Sequence, residues 1–565
     1  MPLARDLNGD DHNETTTRAG GVDQDGARTA PALPRPVVAR STHLAMTDVD
    51  VDLRNRLTGV GMGVTYWAQV QPNRPALLGP HGSRTFAELN ARANQLVRAL
   101  RRRRLAPGDS VALLCSNRPE LAEAWAACLR AGWLLTPINF HLTAAEAAYI
   151  IEDCEARALL ADARFADVAR GAVSAAERAE APNASVAVRL AIGGVIAGFE
   201  SYDDALADED GSDIDDPQLG SLMLYTSGTT GRPKGVTRSR PEPPASDPAA
   251  QTADDLHLCT GPLYHAAPLA ISLIAPLSTG MGVVLMDDWD AAETLRLIAA
   301  HRITHTHMVP TMFHRLLALP PDVRAAADVS SLKAVIHGAA PCPVNVKRAI
   351  IEWFGPVVYE YYAATEGAGT LVTSETWLRH PGTVGRPKPA DQVKVGDAEG
   401  RPLAVGDVGL VWLKAPEDNR FRYRGDDAKT RRAYAGDYFT LGDLGFIDAD
   451  GYLYLTDRDA NLIITGGVNV YPAEVDAVLL DHPSVADAAV IGVPDEEWGE
   501  RVLAVVQPKA DAEASAALAD ELIEHCRGRL ARFKCPRQVD FVTELPRQDN
   551  GKIYKRLLRD RYRSA

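Results

Sequence analysis

Two capping boxes, each opening a helix-period run that leads into an apolar strand, constrain this chain more than any other pattern in its 565 residues. In Thr85-Phe86-Ala87-Glu88 a threonine caps the helix and a glutamate three residues later reaches back to it. Leu89, Ala93, Leu96, Val97 and Leu100 then recur at helical spacing, and Gly108-Asp109 turns the chain into an apolar run over 111–114. The unit repeats: a helix over 119–129, a strand over 134–137, a second box at Thr143-Ala144-Ala145-Glu146, and a strand over 158–161. Further strands are predicted at Val283-Val284-Leu285 and Ala334-Val335-Ile336. Strand–helix alternation of this kind predicts an α/β fold with largely parallel sheets.

The chain is too long for one core, so two or more domains are expected. Residues 1–47 are rich in Asp, Gly, Thr, Arg and Pro and read as a disordered tail. A large α/β domain is expected over 48–457. The pattern changes near Thr456-Asp457-Arg458, and 458–565 reads as a smaller α+β domain with strands near 462–464, 488–491 and 502–506 and helices over 472–480 and 517–530. Leu222-Met223-Leu224 reads as one buried strand end, and the Pro-, Ala- and Ser-rich stretch 241–252 as a surface excursion.

A formal charge of −15 disfavours nonspecific binding to nucleic acid or anionic membrane. The run Arg101 to Arg104 reads as a solvated helix end that complements the helix dipole. No apolar run approaches the ~18 residues of a membrane span. Seven cysteines lie scattered without a CxxC pair, which predicts reduced thiols and a cytoplasmic location.

Between Tyr225 and Val236 the chain packs four hydroxyls, three glycines and a lysine into Thr226-Ser227-Gly228-Thr229-Thr230-Gly231-Arg232-Pro233-Lys234-Gly235. Backbone N–H groups free of side chains can turn toward phosphate oxygens, the hydroxyls add donors, and Lys234 adds a mobile charge. Pro233 before Lys234 and Gly235 after it exclude a Walker A loop, which needs Gly-Lys-Ser/Thr opening a helix.

This loop resembles the phosphate loop of the acyl-adenylate-forming superfamily, and later segments resemble that superfamily's motifs in order. Pro262-Leu263-Tyr264-His265 resembles the segment beside the acyl pocket. Gly338-Ala339-Ala340-Pro341 resembles the turn against which adenine lies. Tyr361-Tyr362-Ala363-Ala364-Thr365-Glu366-Gly367 resembles the second nucleotide segment, and Tyr438 to Asp443 the ribose-binding one. The resemblance covers residues 53–562.

It implies a large N-terminal adenylate-forming domain and a small, mobile C-terminal one. It places ATP on Thr226, Ser227, Gly228, Thr229, Thr230, Gly231, Lys234, Gly338, Ala339, Tyr361, Tyr362, Thr365, Asp443 and Arg458. Tyr362 would stack on adenine, Thr365 bond the α-phosphate and Glu366 hold Mg²⁺. His265, Val309, Gly338 and Gly367 would line the acyl pocket. Gly466 and Gly467 would admit the pantetheine of coenzyme A, and Asp459 and Ala460 would form the hinge. Lys552, in Pro546-Arg547-Gln548-Asp549-Asn550-Gly551-Lys552, would join Thr226 and Glu366 in catalysis by standing between the substrate carboxylate and the α-phosphate. The implied activity is that of an acyl-CoA ligase using ATP, Mg²⁺ and coenzyme A.

The pocket segments are small or apolar, which favours a hydrophobic acid: fatty, aromatic or terpenoid. Partners are then the acid or its adenylate and coenzyme A, in a monomer or a homodimer; a separate carrier protein stays open as the thiol donor. Ala460 replaces the charged hinge residue of many members, Ala363 replaces a common glycine, and Asp549 adds a carboxylate near Lys552. Two alternatives therefore stay open: a ligase specialised for turning a preformed adenylate into a thioester, and a silent adenylate-binding protein.

Overall fold

The computed structural model describes residues 50–178, 186–226, 233–238, 251–415, 417–458, 461–465, 468–495, 498–547 and 552–563. The expected tail, most of the phosphate loop, the 241–250 part of the excursion, Asp459 and Ala460, Gly466 and Gly467, and residues 548–551 lie outside them.

Both capping boxes form. Thr85 accepts from the Glu88 amide while Glu88 returns the bond, and the helix Phe86–Arg102 buries Leu89, Ala93, Leu96, Val97 and Leu100. Thr143 and Glu146 do the same for Ala144–Asp153. The helix Pro119–Ala131 opens on proline and stops at Gly132, whose φ of 74° only a glycine adopts readily. Its Glu123 is fully buried and takes hydrogen bonds from Arg84 at 2.7 Å, Arg92 at 3.3 Å and the Tyr202 hydroxyl at 2.8 Å, so a buried carboxylate is paired on every side.

Two sheets carry most of the chain. One orders Glu200–Ser201, Val188–Ile192, Ala156–Asp162, Ser110–Leu114, Leu134–Pro137 and Ser221–Leu222, all parallel. The other runs Gly367–Thr373, Val358–Ala364, Ala334–His337, His305–Met308, Leu256–Cys259, Gly282–Leu285, Pro75–Leu78 and Arg84–Thr85, parallel except for its two edge pairs. Strands such as Gly282–Leu285 are buried throughout, as a sheet covered on both faces requires. The α/β expectation holds.

The strand expected through Leu222-Met223-Leu224 is divided. Ser221–Leu222 closes the six-stranded sheet, whereas Leu224–Thr226 joins a separate antiparallel sheet with Lys234–Arg238 and Phe421–Tyr423. Met223, fully buried, hands the chain across while its amide still bonds Leu135 O at 3.0 Å.

A fourth sheet, antiparallel, contains Tyr438–Ile447 and Leu453–Arg458. Beyond it Ile463–Thr465, Val468–Val470, Gly499–Pro508, Val485–Asp495 and Gln538–Phe541 form a fifth, packed on Pro472–Leu480 and Ala516–Arg527. Its core of Ile463, Val475, Leu479, Val490, Val506 and Leu522 is separate from those of the preceding sheets. Asn345 reaches this C-terminal part through a 3.3 Å bond to Asp481.

Candidate adenylate site

The strands Leu224–Thr226 and Lys234–Arg238 pair antiparallel with Thr226 opposite Lys234, closing the base of the loop between them. The third strand of that sheet sets Tyr423 opposite Val236. This register places the 423–429 segment beside Lys234, whose ammonium bonds Asp426 Oδ2 at 2.6 Å. Tyr423 donates to Glu366 Oε1 at 2.9 Å, and Glu366 is only 6% exposed. Burial and the neighbouring carboxylate push the Tyr423 phenol well up, so it stays protonated and donates. Tyr423, Asp426 and Lys429 were missed by sequence reasoning. Only the tyrosine ending the Phe421-Arg422-Tyr423 strand and the lysine six residues on could have hinted at them.

Gly338 follows the strand Ala334–His337, and a Cβ there would lie 2.7 Å from the Tyr361 ring. The next residue, Ala339, takes a positive φ of 67°. Tyr361 turns its hydroxyl to His307 Nε2 at 3.1 Å. Tyr362, its neighbour, donates to Asp443 Oδ2 at 2.8 Å. Asp443 is 8% exposed, follows Gly442 at φ 80°, and pairs in register with Arg458 on the adjoining strand. Thr365 is half-buried between Tyr362 and Glu366. Nucleotide-segment and ribose-segment residues thus meet through a hydrogen bond.

His265 precedes the helical turn Ala266–Pro268, which runs on into a π-helical stretch, Leu269–Ile274; such stretches are frequent at functional sites. Val309 is 8% exposed and begins the helix Pro310–Leu317. Gly367 is glycine for packing reasons, since a Cβ would meet the Phe439 ring at 2.7 Å and the Arg238 guanidinium at 3.3 Å. The histidine that sequence reasoning missed, His307, is fully buried, and burial lowers its pKa to about 4.

In the C-terminal part, Arg547 bridges Ile553, and Tyr554 N bonds Pro546 O at 2.8 Å, closing the base of the segment that ends in Lys552. Lys552 is half-buried. Thr465 pairs with Val468 across the position of Gly466 and Gly467.

A family model described as AMP-binding enzyme matches residues 64–419, and one for the AMP-binding enzyme C-terminal domain matches 474–552. This chain belongs to the AMP-binding enzyme family. Among curated relatives, a feruloyl-CoA synthase from Amycolatopsis sp is 33% identical over 518 residues, covering 90% of this chain and 100% of the relative. The long-chain-fatty-acid–CoA ligase FadD13 of Mycobacterium tuberculosis is 33% identical over 519 residues, 90% of this chain and 99% of its own. Among solved structures, the anthranilate CoA ligase AuaEII in complex with anthranoyl-AMP superposes with a TM-score of 0.80 at 26% identity, covering 90% of this chain and 97% of that one. AMP-binding enzymes of this branch have a large N-terminal and a small C-terminal domain, the organisation expected here.

Proposed function

We propose that the chain is an AMP-forming acyl-CoA ligase. A carboxylic acid and ATP give acyl-AMP and pyrophosphate; coenzyme A then gives acyl-CoA and AMP. One observation carries the reading: Tyr362, Asp443, Glu366 and Lys234, from three separate segments, are tied into one polar site by direct bonds and by Tyr423 and Asp426. That site offers an aromatic face for a base, a carboxylate for a ribose diol, a cation for phosphate and a nearly buried carboxylate for a hard cation. Glu366 fits Mg²⁺, which is commonly held by one or two carboxylates together with substrate phosphates.

Lys552 is assigned to adenylation. A cation between carboxylate and α-phosphate offsets their repulsion, a unit pair at 4 Å being worth about 4 kcal/mol at an effective dielectric near 20. The 458–565 part would pivot about Asp459 and Ala460 to exchange Lys552 for Gly466 and Gly467 and admit the thiol. The acid is hydrophobic, aromatic or fatty, in keeping with the small or apolar pocket segments and with the relatives. Seven free thiols fit work in the cytoplasm; among the described residues no helix is long and apolar enough to cross a membrane.

The test is a panel of fatty, cinnamic-type and terpenoid acids with ATP, Mg²⁺ and coenzyme A, following acyl-CoA, AMP and pyrophosphate by chromatography. Stoichiometric formation of the three supports the reading. Thioester formed only from synthetic acyl-AMP would replace it with the thioesterification specialist, and nucleotide binding without turnover would replace it with a silent binder.

A further inference from the structure

Lys234 has company at the phosphate loop. Asp426 serves two lysines at once: Oδ2 accepts from Lys234 Nζ at 2.6 Å, and Oδ1 accepts from the Lys429 backbone N–H at 2.9 Å. The Lys429 ammonium stands 4.4 Å from the centroid of the Tyr423 ring, the same tyrosine that donates to Glu366. Its stem is half-buried there. Burial, and after it the charge of Lys234 beside it, hold the Lys429 ammonium below its ordinary range. Two ammonium groups thus meet in a half-buried place, flanked by Asp426 and Glu366. Like charges brought together in this way repel unless a polyanion joins them.

We propose that Lys429 and Lys234 form a two-lysine grip on the β- and γ-phosphates of ATP and on the departing pyrophosphate. This rests on the ligase reading above. In adenylation a carboxylate oxygen bonds to the α-phosphorus. The bond from that phosphorus to the α,β-bridging oxygen breaks, and its electron pair leaves on pyrophosphate. Charge grows on the bridging and β-phosphate oxygens, and paired ammonium donors stabilise it without reorganising. Lys234 stands at the base of the loop, and Lys429 projects from the first turn of the helix Asp427–Ala433, just after the strand Phe421–Tyr423 that pairs with Lys234–Arg238, so two separate elements bring cations to one leaving group. AMP, which lacks both outer phosphates, does not engage the grip.

The experiment uses the full chain with Lys429→Met, which keeps the apolar stem against Tyr423, and Lys429→Arg, which keeps the charge. Calorimetry measures Mg²⁺ with the α,β-methylene ATP analogue, whose bridging carbon cannot be cleaved in adenylation, and AMP in parallel. Pyrophosphate-driven ATP formation from synthetic acyl-AMP gives the KM for pyrophosphate. In Lys429→Met the analogue is expected to bind at least tenfold more weakly and the pyrophosphate KM to rise at least tenfold. AMP affinity should change less than twofold, and Lys429→Arg should recover most of the loss. Unchanged analogue and pyrophosphate affinities in Lys429→Met would overturn the proposal and leave Lys429 a surface residue packed on Tyr423. An equal loss of AMP affinity would also count against it. A wild-type chain that binds no analogue at all would overturn the ligase reading and the grip together.

Discussion

Tyr362 donates its phenolic hydrogen to Asp443 Oδ2 across 2.8 Å, joining the segment assigned to adenine to the one assigned to ribose. Asp443 is nearly buried, its backbone pairs in register with Arg458, and the Tyr362 hydroxyl holds its carboxylate. Tyr362→Phe should keep the ring face and lose the tether, raising the ATP KM about three- to tenfold, since one hydrogen bond contributes about 1 kcal/mol. Asp443→Ala removes the ribose acceptor itself and should raise it about 10- to 100-fold, hydrogen bonds to a charged group being worth about 1.5–3 kcal/mol. Steady-state kinetics at saturating acid and coenzyme A checks this. A rise in the KM of the acid rather than of ATP would contradict the assignment.

Asp426 holds the Lys234 ammonium that the proposed function gives to phosphate, and so would compete with it. Asn at this position still offers an oxygen to the Lys429 amide and so retains the cap that Asp426 provides to the helix Asp427–Ala433. It gives up the ion pair. Because partly exposed pairs are worth about 0–1 kcal/mol, Asp426→Asn should lower the ATP KM two- to fivefold. An increase would show that Asp426 positions Lys234 rather than restrains it.

Much of this site was legible in the sequence because motif order carries it. Lys234, Tyr362, Glu366, Asp443 and Arg458 were each named from short segments whose sequence is tightly constrained. Tyr423, Asp426 and Lys429 were not, because nothing local marks them: they reach Lys234 only through the antiparallel pairing of Phe421–Tyr423 with Lys234–Arg238, a contact across distant parts of the chain. His307 was hidden for a related reason. In the short strand His305-Thr306-His307-Met308 nothing periodic singles out one ring, and its partner Tyr361 arrives from another strand of the sheet. The division at Met223 escaped notice because three apolar residues look alike whether one sheet or two receives them.

The buried histidines make acid sensitivity a property of the large sheet. Burial holds the His307 pKa at about 4, and His257 and His337 are driven well below their ordinary range by burial first and neighbouring charges second. A folded value below the unfolded one means that the fold accepts the neutral ring. Its stabilising contribution is therefore complete above about pH 6.5 and is lost as pH falls toward 4; for His307 the loss is about 1.4 kcal/mol per unit and about 3 kcal/mol in all. Urea midpoints between pH 7.5 and 5 should fall steeply, and His307→Gln should reduce the slope by close to one proton. Equal slopes in the two proteins would refute this.

Lys347 and Glu360 form a short ion pair with Lys347 fully buried, its ammonium 4.7 Å from the centroid of the Trp377 ring. Burial lowers the pKa of Lys347 and raises that of Glu360, each partner offsetting part of the other's cost. Removing one partner leaves an uncompensated charge. Lys347→Met should cost about 3–5 kcal/mol, and the double variant with Glu360→Leu should recover most of it. Denaturant titration of the two single variants and the double one decides, an additive double variant being the contrary result.

Arg547 opens the segment that ends in Lys552, and Asp487 holds its guanidinium at 2.5 and 3.0 Å. Asp487 lies on the strand Val485–Asp495 and faces His314 of the helix that Val309 begins, where the ring also meets the Ala486 backbone. The base of the lysine loop is thus fixed at the point where the C-terminal part meets the acyl-side helix. A cation meant to lie between two anions works only when well placed, and a misplacement of about 1 Å can cost about 10²-fold. Asp487→Ala should slow acyl-adenylate formation five- to twentyfold. Thioester formation from synthetic acyl-AMP, which on the proposed function proceeds without Lys552, should change less than twofold, while Asp487→Glu should restore part of the adenylation rate. Single-turnover measurement of the two half-reactions separates these outcomes. An equal loss in both would point to a general weakening of the C-terminal fold, not to a loosened lysine.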